Sequence, residues 1–224
     1  MLNHEWLELR DYLGGEFDGS LLPGGRRLAL NTTKNKTWNH YYRQDNERLY
    51  VETGLGLNDM YEPAYRIIAE MVHPPEHVLD YRCGVGAAGL RLAIGGYQVA
   101  FADEEGTCLD YLKWRLKRRG MGNAVVALKR AERQPVAMLV ADFLSIPQAE
   151  HWRFVEGLAR AGDLCLVCFG PTPEGEGVDI GNLRRKIEAA YTLVRWEIFN
   201  AVYQFAAFRP PSSAERAEEV ENGQ

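Results

Sequence analysis

Asp80, Gly84, Gly86, Gly89 and Asp103 are the residues whose types and spacing suit chemistry. Gly84-Val85-Gly86-Ala87-Ala88-Gly89 fits G-x-G-x-x-G, a turn in which glycine lets a ligand come close to backbone. Asp103 stands 19 residues after Gly84. That is near the roughly 20 residues separating such a turn from an acid that accepts ribose hydroxyls. Asp80, four residues before Gly84, would oppose a pyrophosphate and suit a cation. The pattern points to a nucleoside ligand that carries positive charge. Both acids also admit an architectural role, as turn or cap acceptors.

Elements of an α/β chain must position these residues. Val78-Leu79-Asp80-Tyr81 reads as a strand entering the turn Cys83-Gly84-Val85-Gly86, and Leu90, Ala93 and Ile94 mark the following helix. Residues 97–102 form a second strand ending at Asp103, and Leu109, Leu112 and Leu116 a helical stripe. Residues 124–128, 136–141 and 164–169 read as further strands, the middle one ending at Asp142. A helix with Trp152, Val155 and Ala159 precedes the last of these, and one with Leu183, Ile187, Ala190 and Tyr191 follows it. Residues 194–199 and 202–208 are too close for anything but an antiparallel hairpin, since parallel neighbours need a long crossover. The expected fold is a three-layer Rossmann-like α/β sheet, mostly parallel, with a C-terminal antiparallel β-hairpin and an N-terminal cap. The expected divisions are 1–61, a helix (Trp6, Leu9, Leu13) with a lid or cap segment; 62–210, the ligand-binding domain; and 211–224, a disordered polar tail.

A hydrophobic share of 46% suffices for a real core, and no apolar run approaches the roughly 20 residues of a membrane span. Met1 to Trp6 lacks the basic-then-apolar form of a secretory signal, so the expected compartment is the cytoplasm. A net charge of -5 argues against nucleic acid as partner. The basic group Lys113, Arg115, Lys117, Arg118 and Arg119 reads as a solvated helix face. Cys165 and Cys168 are three apart on a strand and face opposite ways, which fits buried core residues and not a metal pair.

The stretch from Val78 to Gly86, an acid followed by a C-G-x-G turn, resembles motif I of the class I S-adenosylmethionine-dependent methyltransferases. Tyr97 to Glu104 with Leu109-Asp110-Tyr111-Leu112 looks like that family's second strand and helix. Leu158 to Leu164 is similar to its approach to strand five, and the closing hairpin agrees. The resemblance covers about two-thirds of the chain, Glu62 to Pro210. It implies S-adenosylmethionine as cofactor and methyl transfer as activity. Asp80, Arg82, Cys83, Gly84 and Gly86 would meet the methionine part, with Asp80 holding its ammonium directly or through water. Asp103 and Glu104 would meet the ribose, and Asp142 would face the methyl group and acceptor. Two departures stand out: Arg82 replaces the usual glycine two residues after the acid, and after strand three only Glu132 is available for adenine.

Methyl transfer asks mainly for in-line positioning, with a base only when the acceptor must lose a proton. The candidate catalytic residues are Tyr42, His40 and Asp142, with Tyr41 and His151 behind them. Trp38 to Arg43 is expected to fold over the cofactor as a lid. Phe143-Leu144-Ser145-Ile146-Pro147 follows Asp142 where amino-methylating DNA enzymes carry Asn-Pro-Pro-Tyr, so the expected acceptor is a small molecule. A homodimer stays open, and no metal is called for. Other readings are an NAD-dependent oxidoreductase, a catalytically degenerate binding protein and an aminopropyl transferase.

Overall fold

The computed structural model describes residues 4–24, 45–57, 61–121, 125–141, 148–169, 180–199 and 203–211. Its elements run α1 (His4–Leu13), α2 (Asp45–Gly56), α3 (Tyr61–Met71), β1 (His77–Tyr81), α4 (Ala87–Ile94), β2 (Gln98–Asp103), α5 (Thr107–Arg118), β3 (Val125–Ala127), β4 (Gln134–Ala141), α6 (Gln148–Ala161), β5 (Gly162–Phe169), α7 (Ile180–Ala190), β6 (Thr192–Phe199) and β7 (Tyr203–Arg209). The strands form one sheet in the order β3-β2-β1-β4-β5-β7-β6. Strands β1 to β5 are parallel to their neighbours, whereas β7 is antiparallel to both β5 and β6. The Rossmann-like sheet and closing hairpin expected from the sequence are both present.

Central strands are mostly apolar because helices cover both faces. Along β5, Leu164, Leu166 and Cys168 pack with α3, α4 and α5 on one face, while Cys165 and Val167 pack with α6 and α7 on the other. The two cysteines are buried on opposite sides, as the period of two requires. The edge strand β6 stays half open, with Val194 and Ile198 exposed.

Chain order reverses at β1, whose neighbours are β2 on one side and β4 on the other. Such a switch point leaves a crevice at the carboxyl ends of the strands, where ligands of open α/β sheets bind. The glycine turn after β1 lies there.

A third apolar cluster joins α1 and α2 to the outer side of α5 through Leu9, Leu49, Tyr50, Cys108 and Tyr111. Val85 of the glycine turn belongs to it, so the cap and the turn share packing. Two sequence expectations change here. Residues 45–56, part of the lid or cap segment to which the sequence reading assigns no helix, form a helix. Arg115, read as solvated, is 1% exposed and ion-paired with Glu5 and Glu8 of α1. Lys113 and Arg118 do face solvent. Among the described residues no helix is long and apolar enough to cross a membrane.

Candidate functional site

The turn is built by backbone geometry first. Arg82, Gly84 and Gly86 have φ of 56°, 54° and 76°, the left-handed region that glycine enters freely and other residues enter at a cost. The N–H of Gly86 donates to the Cys83 carbonyl at 2.8 Å and closes the turn. Gly84 is also a close approach: a Cβ there would stand 2.7 Å from Oε2 of Glu52, on α2.

Two acids then hold the turn to its strands. Asp80 Oδ2 accepts the Gly89 N–H at 2.8 Å, which satisfies one of the amides left open in the first turn of α4. Asp103 Oδ2 accepts the Gly84 N–H at 2.6 Å and its Oδ1 the Glu104 N–H at 2.7 Å. The cap chemistry is thus present, and it brings both carboxylates to one crevice. Burial pushes the Asp80 carboxyl up to about 7; the Gly89 bond pulls it down, and the nearby Asp103 adds to the rise. Burial raises Asp103 as well, against the pull of its two N–H partners and of Arg48 and Arg82. A site that resists ionising its acids gains when a cation enters. Burial, with these two acids beside it, also lifts the Cys83 thiol well above its usual range, which disfavours a thiolate there.

Arg82 leaves the turn toward the α6 side of the sheet. Its guanidinium lies 4.2 Å over the Phe154 ring and pairs with Glu104 at 3.2 Å. The helices that flank the glycines, α2 and α4, are on the opposite side. Below the turn, Arg115 Nη1 donates to the Val85 carbonyl at 2.8 Å while its other nitrogens meet Glu8 and Glu5.

Of the residues read from the sequence, Asp80, Arg82, Cys83, Gly84, Gly86, Asp103 and Glu104 converge at the tips of β1 and β2. His151 is buried near the start of α6, one turn before Phe154. Glu132 is exposed, beyond β3. His40, Tyr41, Tyr42 and Asp142 lie outside the described residues. The reading missed Arg48 and Glu52, which α2 brings to the crevice; the signal available was their i, i+4 spacing beside Leu49, Tyr50 and Thr53.

No family model matches the chain, and no curated protein matches it. Solved structures do. The TehB-like S-adenosylmethionine-dependent methyltransferase of Corynebacterium glutamicum superposes with a TM-score of 0.55 at 17% identity, over 84% of this chain and 99% of that one. Magnesium protoporphyrin IX methyltransferase of Synechocystis, solved with its cofactor bound, gives 0.52 at 14% identity over 93% and 98%. A methyltransferase of Aquifex aeolicus gives 0.52 at 15% over 70% and 92%. The fold is the class I methyltransferase fold. In this chain the turn after β1 and the acid ending β2 stand at the switch-point crevice, with Asp80, Gly84 and Asp103.

Proposed function

We propose that this protein binds S-adenosylmethionine across the β1 and β2 tips and transfers its methyl group to a small-molecule acceptor. The observation that carries the reading is two buried carboxylates, Asp80 and Asp103, meeting at a left-handed glycine turn. Such a donor set suits a nucleoside attached to a cation. Asp103, with Glu104 beside it, would take the ribose hydroxyls, exchanging one of its backbone bonds for them. The glycines leave room for the methionine part, and Asp80 tunes the charge beneath it. When bound, the cofactor supplies the activated methyl group.

The protein's remaining task is to orient the acceptor and take its proton where it has one to lose. Tyr42 and His40 are our candidates for that, with Asp142 facing the acceptor. Tyr42 is three residues before Asp45, where α2 begins. Asp142 follows directly on β4, next to β1 in the sheet. The chain's net charge of -5 favours a small acceptor over nucleic acid, and the cytoplasm is the compartment we assign.

Calorimetry with S-adenosylmethionine, S-adenosylhomocysteine and NAD tests the reading. The two sulfur nucleosides should bind and NAD should not, because Asp80 opposes a pyrophosphate at the turn. Tight NAD binding, or no binding of either sulfur nucleoside, would end it. Binding with no methyl transfer to any acceptor would favour the degenerate-binder reading, for which Arg82 in place of glycine is the motive.

A further inference from the structure

Helix α2 passes over the mouth of the glycine turn and buries Leu49, Tyr50 and Thr53. Arg48 and Glu52 sit one turn apart on it, 23% and 26% exposed. The Arg48 Nε to Glu52 Oε1 distance is 3.8 Å, longer than the 2.7–3.2 Å of a hydrogen bond. Each still reaches the site. Glu52 Oε2 occupies the space above Gly84 where a side chain would begin. Arg48 is near enough to Asp103 to lower its carboxyl.

The motif acid is placed differently. Asp80 is 2% exposed, beneath the turn, with Oδ2 committed to the Gly89 N–H. A ligand lying over Gly84 meets the Glu52 carboxylate before it meets Asp80. Beside Glu52 is a guanidinium, so the helix presents one negative and one positive group at the spacing of an i, i+4 pair. The amino-acid end of S-adenosylmethionine carries one ammonium and one carboxylate.

We infer that Arg48 and Glu52 form a clamp for the zwitterionic amino-acid end of the cofactor, Glu52 receiving the ammonium and Arg48 the carboxylate. The ligand's ammonium and carboxylate would each gain a charge-assisted hydrogen bond from this pair. The inference rests on the S-adenosylmethionine reading of the site. It assigns to the cap a selectivity for nucleosides that carry an amino acid.

Three probes test it by calorimetry on the full chain: S-adenosylhomocysteine, decarboxylated S-adenosylmethionine, and 5′-methylthioadenosine, which has no amino-acid end. Glu52→Gln should weaken the first two by about tenfold or more, the scale of one charge-assisted hydrogen bond. It should leave methylthioadenosine unchanged. Arg48→Gln should weaken S-adenosylhomocysteine alone, and Arg48→Lys should restore part of the loss. Thermal unfolding should match wild type, since both side chains are partly exposed. Equal losses for all three probes, unchanged affinities, or tighter binding on Glu52→Gln would overturn the clamp while wild-type binding upholds the underlying reading. Wild-type protein that binds none of the probes would overturn both.

Discussion

Arg82 stands where the motif this chain resembles usually has glycine, and local energies explain how it stays. An arginine at φ 56° costs about 1 kcal/mol relative to glycine. Stacking on Phe154 at 4.2 Å returns about 0.5–1 kcal/mol, and the pair with the mostly exposed Glu104 at most about as much again. These terms nearly cancel. Arg82→Gly should therefore change stability by less than about 1 kcal/mol, a melting shift within about 4 °C for a chain of this length. Arg82→Ala should be the less stable of the two, because it keeps a Cβ in the left-handed region and makes neither contact. Alanine ordinarily beats glycine in folded elements, so this inverted order is diagnostic. Thermal denaturation of the two variants side by side reads it. Alanine proving the more stable would mean that the backbone at 82 is not held left-handed in solution.

At the scale of elements, legibility followed burial. The five parallel strands read as apolar runs because helices cover both their faces, and the hairpin followed from the short spacing of its strands. Asp80, Gly84, Gly86 and Asp103 were legible because the turn needs left-handed glycines and the strand tips need acceptors. Helix α2 was not. Its buried stripe mixes Leu49 and Tyr50 with Thr53, and Gly54 and Gly56 lower its helix propensity. Arg115 was illegible for another reason: its burial is made by α1, whose Glu8 is 107 residues away in sequence. No local pattern encodes such a partner. The consequence is testable. Arg115→Met leaves buried Glu8 with Arg119 as its ion-pair partner among the described residues and removes the donor to the Val85 carbonyl. Breaking a buried pair in this way costs about 3–5 kcal/mol, hence a melting point lower by roughly 6–20 °C. Adding Glu8→Leu should recover much of the loss, since the carboxylate is no longer stranded. An Arg115→Met variant as stable as wild type would show that the cap is not anchored through this pair.

For the whole molecule the buried acids set how stability responds to pH. Asp80 has a folded value of about 7 against an ordinary 3.8, because burial disfavours its charge. Below about pH 4 the folded and unfolded chains both hold its proton, and its contribution is fully present. Between about pH 4 and 7 the folded chain keeps a proton that the unfolded chain has released. Stability then falls by about 1.4 kcal/mol per pH unit on its account. Above about pH 7 both states are ionised and the loss is complete. Asp103 is raised in the same direction and adds to the effect. Asp80→Asn, which can still accept the Gly89 N–H, removes the Asp80 part. Chemical denaturation at pH 4 and pH 8 should therefore show the variant gaining several kcal/mol on wild type between the two. A bound cation would substitute for the proton, so saturating S-adenosylmethionine should flatten the wild-type slope while releasing protons on binding near neutrality, measurable as a dependence of calorimetric heat on buffer ionisation. A difference between variant and wild type that stays constant from pH 4 to 8 would mean that Asp80 ionises like an exposed acid, and the crevice would then have no electrostatic preference for a cation to satisfy.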